Sequence, residues 1–221
     1  MLQLWQKRLL LKTSQEYQEF TTAGEYTATL RTGKVYNITV IGAGGGSVVA
    51  HPRSGGNNFW ANGGVGGTIQ IQYAPAQDTE LLITVGKYGN SKAKVFVQGN
   101  SLTGIAGGDS VVEFPNGKIT ARGGTGANFT ADMPTSGITT AGIIGTNSST
   151  VPRAPITHNN DIEIISRVGN SDTNVPKATA VQFNENWPMN PDLGAAGECG
   201  WNARGMIIKQ PQSGAVIIQT A

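Results

Sequence analysis

The most constraining stretch of the sequence is residues 42–47, Gly-Ala-Gly-Gly-Gly-Ser, which follow an apolar run at residues 35–41. A strand ending in Gly-x-Gly also opens dinucleotide-binding folds, but those folds need a third glycine at position 47 and then a helix. Here position 47 is Ser47, and Pro52 and two further glycines stand where the helix would lie. Because proline removes a helix hydrogen bond and glycine is costly to order, the stretch excludes that helix. It predicts instead a glycine-rich insertion in a β domain.

Composition narrows the class of protein further. The 221 residues include 31 glycines, are 14% charged and carry a formal net charge of +2. So many glycines indicate positive φ angles, or backbones packed more closely than a Cβ atom permits. A charge this low, without a lysine and arginine stripe, argues against a nucleic-acid partner. The single cysteine, Cys199, excludes an internal disulfide and favours folding in a reducing cytosol. We find no signal peptide and expect no membrane insertion, since no apolar run is long enough to cross a bilayer.

Short strands with alternating apolar and polar residues fill much of the chain. The clearest predicted strands are residues 25–31, 35–41, 68–74, 80–86, 110–114, 118–122, 161–165, 205–209 and 215–219. Residues 115–117, Pro-Asn-Gly, predict a hairpin turn in which Asn-Gly takes positive φ. Residues 42–67 are interpreted as one long loop with glycines at both ends. The predicted fold class is all-β, a β-sandwich or jelly-roll-like fold with glycine-rich loop insertions.

The predicted domain organisation has two parts. Residues 1–19 form an N-terminal arm, in which Leu2, Trp5 and Leu9 lie on one side at helical spacing, although residues 9–11, Leu-Leu-Leu, would also suit a short strand. This arm either packs on its own domain or serves as an assembly segment that docks on a neighbouring subunit, because its apolar side chains are costly to leave in water. Residues 20–221 form the glycine-rich β-sandwich domain, with a loop-rich insertion around residues 128–204.

The order of the glycine clusters resembles a known family. One strand ends in the glycines of residues 42–46, and the cluster at 63–67 leads into another strand. Residues 81–89 end in Val-Gly-Lys-Tyr-Gly, residues 107–110 precede an apolar strand, and residues 121–126 read Ala-Arg-Gly-Gly-Thr-Gly. This order is similar to the glycine-rich domain of bacteriophage tail-fibre and receptor-binding proteins. It is also similar to the glycine-rich ectodomain of anaplastic lymphoma kinase receptors.

The resemblance implies a small β-sandwich whose glycine insertions can bundle as polyproline-II-like helices. It covers about residues 24–127 and the last strand, whereas residues 128–204 match no family that we recognise. The glycine tracts of this chain are short, so we expect no extended lattice of such helices. The missing cysteine pairs favour the phage branch over the receptor branch.

The candidate receptor-binding residues lie on the predicted 42–67 loop, and they are His51, Arg53, Asn57, Phe59 and Trp60. Aromatic rings on loops held by a sheet supply contact area for a sugar or protein surface at low entropic cost. The alternative for Trp60, as for Trp187 and Trp201, is that it closes an end of the sandwich, since tryptophan is mostly buried.

No set of residues in the sequence predicts catalysis, a metal site or a cofactor. His51 and His158 are far apart and lack neighbours at metal-ligand spacing, so both are interpreted as surface histidines. Cys199 lies in Gly-Glu-Cys-Gly-Trp without the histidine that a nucleophilic cysteine needs, so it is interpreted as an idle thiol.

The resemblance therefore implies a non-enzymatic virion protein of a phage tail fibre or spike that binds the host surface through glycine-bounded loops. The expected partners are other virion proteins and a host glycan or outer-membrane protein. The resemblance also implies a homo-oligomer, a trimer, located in the virion after assembly in the host cytoplasm. Two alternatives remain: a purely architectural capsid decoration or tail connector, and a tailspike that cleaves polysaccharide with a pair of acids.

Overall fold

The computed structural model describes residues 16–52, 59–96, 102–129, 143–144, 156–158, 166–168, 194–202 and 205–221. Within these ranges the chain consists of strands and extended segments, and none of it forms a helix that could cross a membrane. The strands are β1 (Tyr17–Phe20), β2 (Gly24–Leu30), β3 (Tyr36–Ile41), β4 (Val48–Pro52), β5 (Phe59–Ala61), β6 (Thr68–Tyr73), β7 (Thr79–Val85), β8 (Lys92–Phe96), β9 (Leu102–Thr103), β10 (Ser110–Phe114), β11 (Gly117–Ala121), β12 (Asn128–Phe129), β13 (Ile143–Ile144), β14 (Ile156–His158), β15 (Ser166–Val168), β16 (Glu198–Asn202), β17 (Gly205–Lys209) and β18 (Ala215–Thr220).

Two antiparallel sheets of five strands form the sandwich. The first sheet has the order β1-β18-β3-β6-β15, and the second has the order β14-β11-β10-β7-β2. Their facing sides supply one apolar core, to which the first sheet contributes Ile38 and Ile71 and the second contributes Leu81 and Ile119. Each fully buried side chain of this size stabilises the fold by about 1.5–3 kcal/mol. The predicted all-β sandwich is confirmed.

Alternation along the sequence explains how the sandwich strands form. In β2, Ala28 and Leu30 are buried while Thr27 and Thr29 are exposed. β7 alternates in the same way along its whole length, as a strand does when one face meets a core and the other meets water. The predicted strands at 25–31 and 80–86 agree with β2 and β7 to within a residue. The predicted strand at 161–165 lies outside the described residues.

The predicted hairpin between β10 and β11 is confirmed, but the prediction that its turn depends on a positive φ at Asn-Gly is wrong. Phe114 pairs with Gly117, so the turn consists of Pro115 and Asn116. No described residue other than glycine has a positive φ, so Asn116 does not take that conformation. Proline fixes its own φ near the value that the first turn position needs, and this explains the turn.

Polar side chains hold the chain where it enters the first sheet, at the end of the sandwich where β3 begins. Glu16 accepts hydrogen bonds from the ammonium group of Lys34 and from the hydroxyl of Tyr36, the latter at 3.0 Å. These bonds, that of Lys34 first, lower the pKa of Glu16. The amide of Glu16 also donates to the hydroxyl of Thr220 at 3.0 Å, which fixes this residue to the end of β18.

Eight further strands, which we call the distal strands, form three small sheets. These sheets have the orders β5-β4-β8, β13-β12-β9 and β16-β17. They touch one another, since β4 contacts β9 and β16, and β5 contacts β13 and β16. The interpretation of residues 42–67 as one loop is therefore wrong, because β4 and β5 lie inside that stretch. The described parts of residues 128–204 include β14 and β15, which pair with the two sandwich sheets.

Candidate functional site

Seven extended segments connect the sandwich to the distal strands, and together we call them the glycine bundle. The central segment is residues 42–47. The six ring segments are residues 62–67, 86–91, 104–109, 122–127, 194–197 and 210–214. None belongs to a strand ladder, so backbone bonds between segments are what order them.

Consecutive amides of the central segment donate to different neighbours, in a repeat of three residues. The bonds run from Gly42 N to Gly67 O (2.8 Å), Ala43 N to Gly108 O (3.1 Å), Gly44 N to Gln212 O (2.9 Å), Gly45 N to Gly64 O (2.9 Å) and Gly46 N to Ile105 O (2.9 Å). The first and fourth reach segment 62–67, and the second and fifth reach segment 104–109. A backbone with three residues per turn and no internal hydrogen bonds has polyproline II geometry.

The other three ring segments donate to the central segment. Gly89 N bonds to Gly44 O at 2.9 Å, Gly124 N to Ala43 O at 2.8 Å and Gly197 N to Gly45 O at 2.8 Å. The central segment therefore contacts six neighbours through its backbone.

The six ring segments also bond to one another in a closed circle. Bonds around the circle include Gly64 N to Thr125 O (2.7 Å), Gly107 N to Gly124 O (2.9 Å), Gly108 N to Lys87 O (2.8 Å), Gly214 N to Gly86 O (3.0 Å), Gly194 N to Ser213 O (2.9 Å) and Gly66 N to Gly194 O (3.0 Å). Successive segments around this circle run in opposite directions, away from the sandwich and back towards it. The bundle is thus a hexagonal array held by backbone bonds in every lateral direction.

Lack of space, rather than an unusual backbone conformation, explains most of these glycines. A Cβ atom on Gly44 would lie 1.8 Å from the carbonyl oxygen of Ala195, and one on Gly66 would lie 1.8 Å from that of Gly42. Among the bundle glycines only Gly194 has a positive φ, of +68°. The expectation that short tracts form no extended lattice is wrong, because the lattice assembles from short segments of seven separate stretches.

The spacing of glycines marks this bundle in the sequence, although the search for strands does not use it. Six of the segments contain glycines three residues apart, which are Gly42 and Gly45, Gly63 and Gly66, Gly86 and Gly89, Gly104 and Gly107, Gly123 and Gly126, and Gly194 and Gly197. With three residues per turn, residues three apart lie on the same side of the segment. Both must be glycine where the backbone of another segment packs against that side.

The bundle carries the distal strands at its far end. β4 continues the central segment, and β8 continues segment 86–91. The two are joined where Lys92 N donates to Ser47 O at 2.8 Å and the hydroxyls of Ser47 and Ser91 lie 2.8 Å apart. At about 3.1 Å per residue, the seven steps from Ile41 at the end of β3 to Val48 at the start of β4 set the distal strands roughly 22 Å from the sandwich.

The structure brings three of the five predicted receptor-binding residues into one distal sheet. In the pairing of β4 with β5, Ala50 lies opposite Phe59 and Val49 opposite Trp60. His51 belongs to β4 and pairs with Val95 of β8.

The other two, Arg53 and Asn57, lie outside the described residues, on the stretch that joins Pro52 of β4 to Phe59 of β5. Both ends of that stretch are therefore fixed at the far end of the bundle.

The remaining residues singled out from the sequence do not join this group. Leu2, Trp5, Leu9 and Trp187 lie outside the described residues. Cys199 and Trp201 belong to β16, opposite Ile208 and Met206, and His158 belongs to the edge strand β14 of the second sheet. Within the described part of the chain, no three histidine, cysteine or acidic residues are grouped so that they could hold a metal ion.

Comparison with known proteins agrees with this architecture at the level of the family. A search of curated proteins finds no significant match. A family described as a glycine-rich domain matches residues 21–217, a range that contains every segment of the bundle. The match includes residues 128–204, which the sequence alone relates to no family. Since it covers most of the chain, the chain belongs to this family of glycine-rich domains.

Proposed function

We propose that this chain is a non-enzymatic phage virion protein of a tail fibre or spike, and that its distal strands and their loops bind the host surface. The glycine bundle is the mount that carries those loops. In this proposal the partners are a host glycan or outer-membrane protein and other virion proteins. The chain acts in the virion as a homo-oligomer, a trimer, after assembly in the host cytoplasm.

One observation carries the proposal: the stretch of sequence that contains Arg53 and Asn57 begins and ends on β4 and β5, two strands at the far end of the bundle. Residues 97–101 likewise connect β8 to β9, both of them distal strands. Binding residues commonly lie on variable loops held by a rigid scaffold. The bundle is held mainly by backbone bonds within its own segments, with a few side-chain bonds such as that from the amide of Gly123 to Asp109. The sequences beyond the distal strands can therefore change without disturbing the bundle.

Binding to intact bacteria tests this function. We expect fluorescently labelled full-length chain to bind a subset of strains in a panel that differ in surface polysaccharide and outer-membrane proteins. The double variant Arg53→Ala, Asn57→Ala should bind those strains at least about tenfold more weakly, as removal of contact residues at an interface centre does. Circular dichroism should show the same fold for both proteins.

The matched control is Lys87→Ala, an exposed residue on the side of the bundle, which should bind the strains as the native chain does. Antibodies against the chain should also decorate the tip of a tail fibre or spike in electron micrographs of virions. Decoration of virions together with no binding to any strain would support the architectural alternative. Polysaccharide cleavage by the purified chain would support the tailspike alternative.

A further inference from the structure

The outer faces of the two sandwich sheets differ in exposure. On the first sheet, Thr39 and Gln70 face away from the core and yet are 0% and 1% exposed. On the second sheet the corresponding face is open, with Thr27 exposed and Leu82 54% exposed. Leucine at this exposure leaves apolar area in water that a partner could cover.

This open face has Leu82 at its centre and carries three carboxylates, those of Glu25, Glu80 and Glu113, together with one lysine, Lys118, which lies opposite Glu113 on β11. Leu82 lies opposite Thr27 of β2 and Glu113 of β10, and Glu25 lies opposite the next outward residue of β7, Thr84. Together they line a shallow depression of about 630 Å3. Among the described residues, neither Glu25 nor Glu113 forms an ion pair. We call this depression the acidic face.

The stretch of this chain that complements the acidic face is residues 1–15. It contains Lys7, Arg8 and Lys12, and no aspartate or glutamate. The same stretch contains apolar side chains, among them Trp5 and Leu9. A segment that is both basic and apolar fits a depression with a leucine at its centre and unpaired carboxylates at its sides.

In the homo-oligomer proposed above, a neighbouring copy of the chain can supply such a segment. A stretch of 15 residues spans up to about 50 Å when extended, which is enough to reach a neighbouring molecule. We propose that residues 1–15 of one copy dock on the acidic face of a second copy. This contact does not involve the distal strands, so its test is independent of the test of host binding.

Charge reversal on each side tests the contact. The face variant is Glu25→Lys with Glu113→Lys, and the segment variant is Lys7→Glu with Arg8→Glu. We expect the native full chain to self-associate in low salt, and each double variant to raise the dissociation constant at least about tenfold, because attraction becomes repulsion. Added salt should weaken the native association, since exposed charges are screened. Sedimentation velocity measures all of these.

Mixing the two variants provides the decisive measurement. The acidic segment of one variant matches the basic face of the other, so the mixture should form a mixed complex that neither variant forms alone. Lys87→Glu, a charge reversal on the side of the bundle, is the matched control and should associate as the native chain does. A native chain that stays monomeric, double variants that associate normally, or a mixture that stays monomeric would each overturn the proposal.

Discussion

At the scale of single residues, the carbonyl oxygens of neighbouring segments determine where glycine is required. A Cβ atom on Gly45 would lie 2.0 Å from the carbonyl oxygen of Thr125, and one on Gly63 would lie 2.0 Å from that of Gly45. Backbone atoms at this distance cannot rotate away as a side chain can. An alanine would therefore force two segments apart, and with them the hydrogen bonds that join them.

Two glycine-to-alanine variants separate this effect from the general cost of adding a methyl group. We expect Gly45→Ala to lower the free energy of unfolding by about 3 kcal/mol or more, since overpacking against backbone leaves no way to relax. Gly108→Ala is the control, because its Cβ would lie 3.1 Å from the nearest atom, the amide nitrogen of Lys87. Its cost should stay within about 1 kcal/mol. Equal midpoints for the two variants in urea unfolding would contradict the spatial explanation.

At the scale of elements, the sequence predicts strands much better than it predicts the bundle. β2 and β7 are predicted because alternating side chains and turn residues mark a half-buried strand locally. The bundle has no such pattern, since its order depends on backbone contacts between segments far apart in sequence, such as Gly63 with Gly197. Its one local mark is the spacing of three between glycines, which a search for periods of two or 3.6 overlooks.

The candidate site could be predicted only in part, because its residues are marked locally and their pairing is not. His51, Phe59 and Trp60 could be chosen as aromatic and polar residues between glycine clusters, but the sheet that they share could not be predicted. Proline lacks an amide hydrogen, so Pro52 at the end of β4 weakens the strand signal of that stretch. Two residues of β5, Phe59 and Trp60, are also too few to show alternation.

Amide exchange tests whether the bundle is ordered as firmly as a sheet. We expect the amides of Gly42, Gly44 and Gly45 to exchange nearly as slowly as those of β3, because each is buried and bonded to a neighbouring segment. The amide of Gly33, in an exposed turn, should exchange orders of magnitude faster. Heteronuclear NMR after transfer to deuterated water measures both. Fast exchange at the central glycines would show a loose bundle and weaken the proposal that it is a mount.

At the scale of the whole molecule, the sandwich and the bundle share one chain path. The central segment follows β3, segment 62–67 precedes β6, and segment 86–91 follows β7. The chain likewise passes directly between the two parts beside β10, β11 and β18. Neither part is a continuous stretch of sequence, so neither can lose its order without releasing the ends of the other. The bundle is thus joined to the sandwich at six strands, which are β3, β6, β7, β10, β11 and β18.

This shared path predicts a single cooperative unfolding transition. In calorimetry the measured enthalpy should equal the van't Hoff enthalpy, as for a two-state domain. Leu81→Ala, at a fully buried position of the sandwich core, should lower the free energy of unfolding by about 2–5 kcal/mol. Exchange protection should then fall by the same factor at Ile38 in the sandwich and at Gly45 in the bundle, because both open only in global unfolding. A second transition, or bundle amides that keep their protection in Leu81→Ala, would show that the bundle is a separate folding unit.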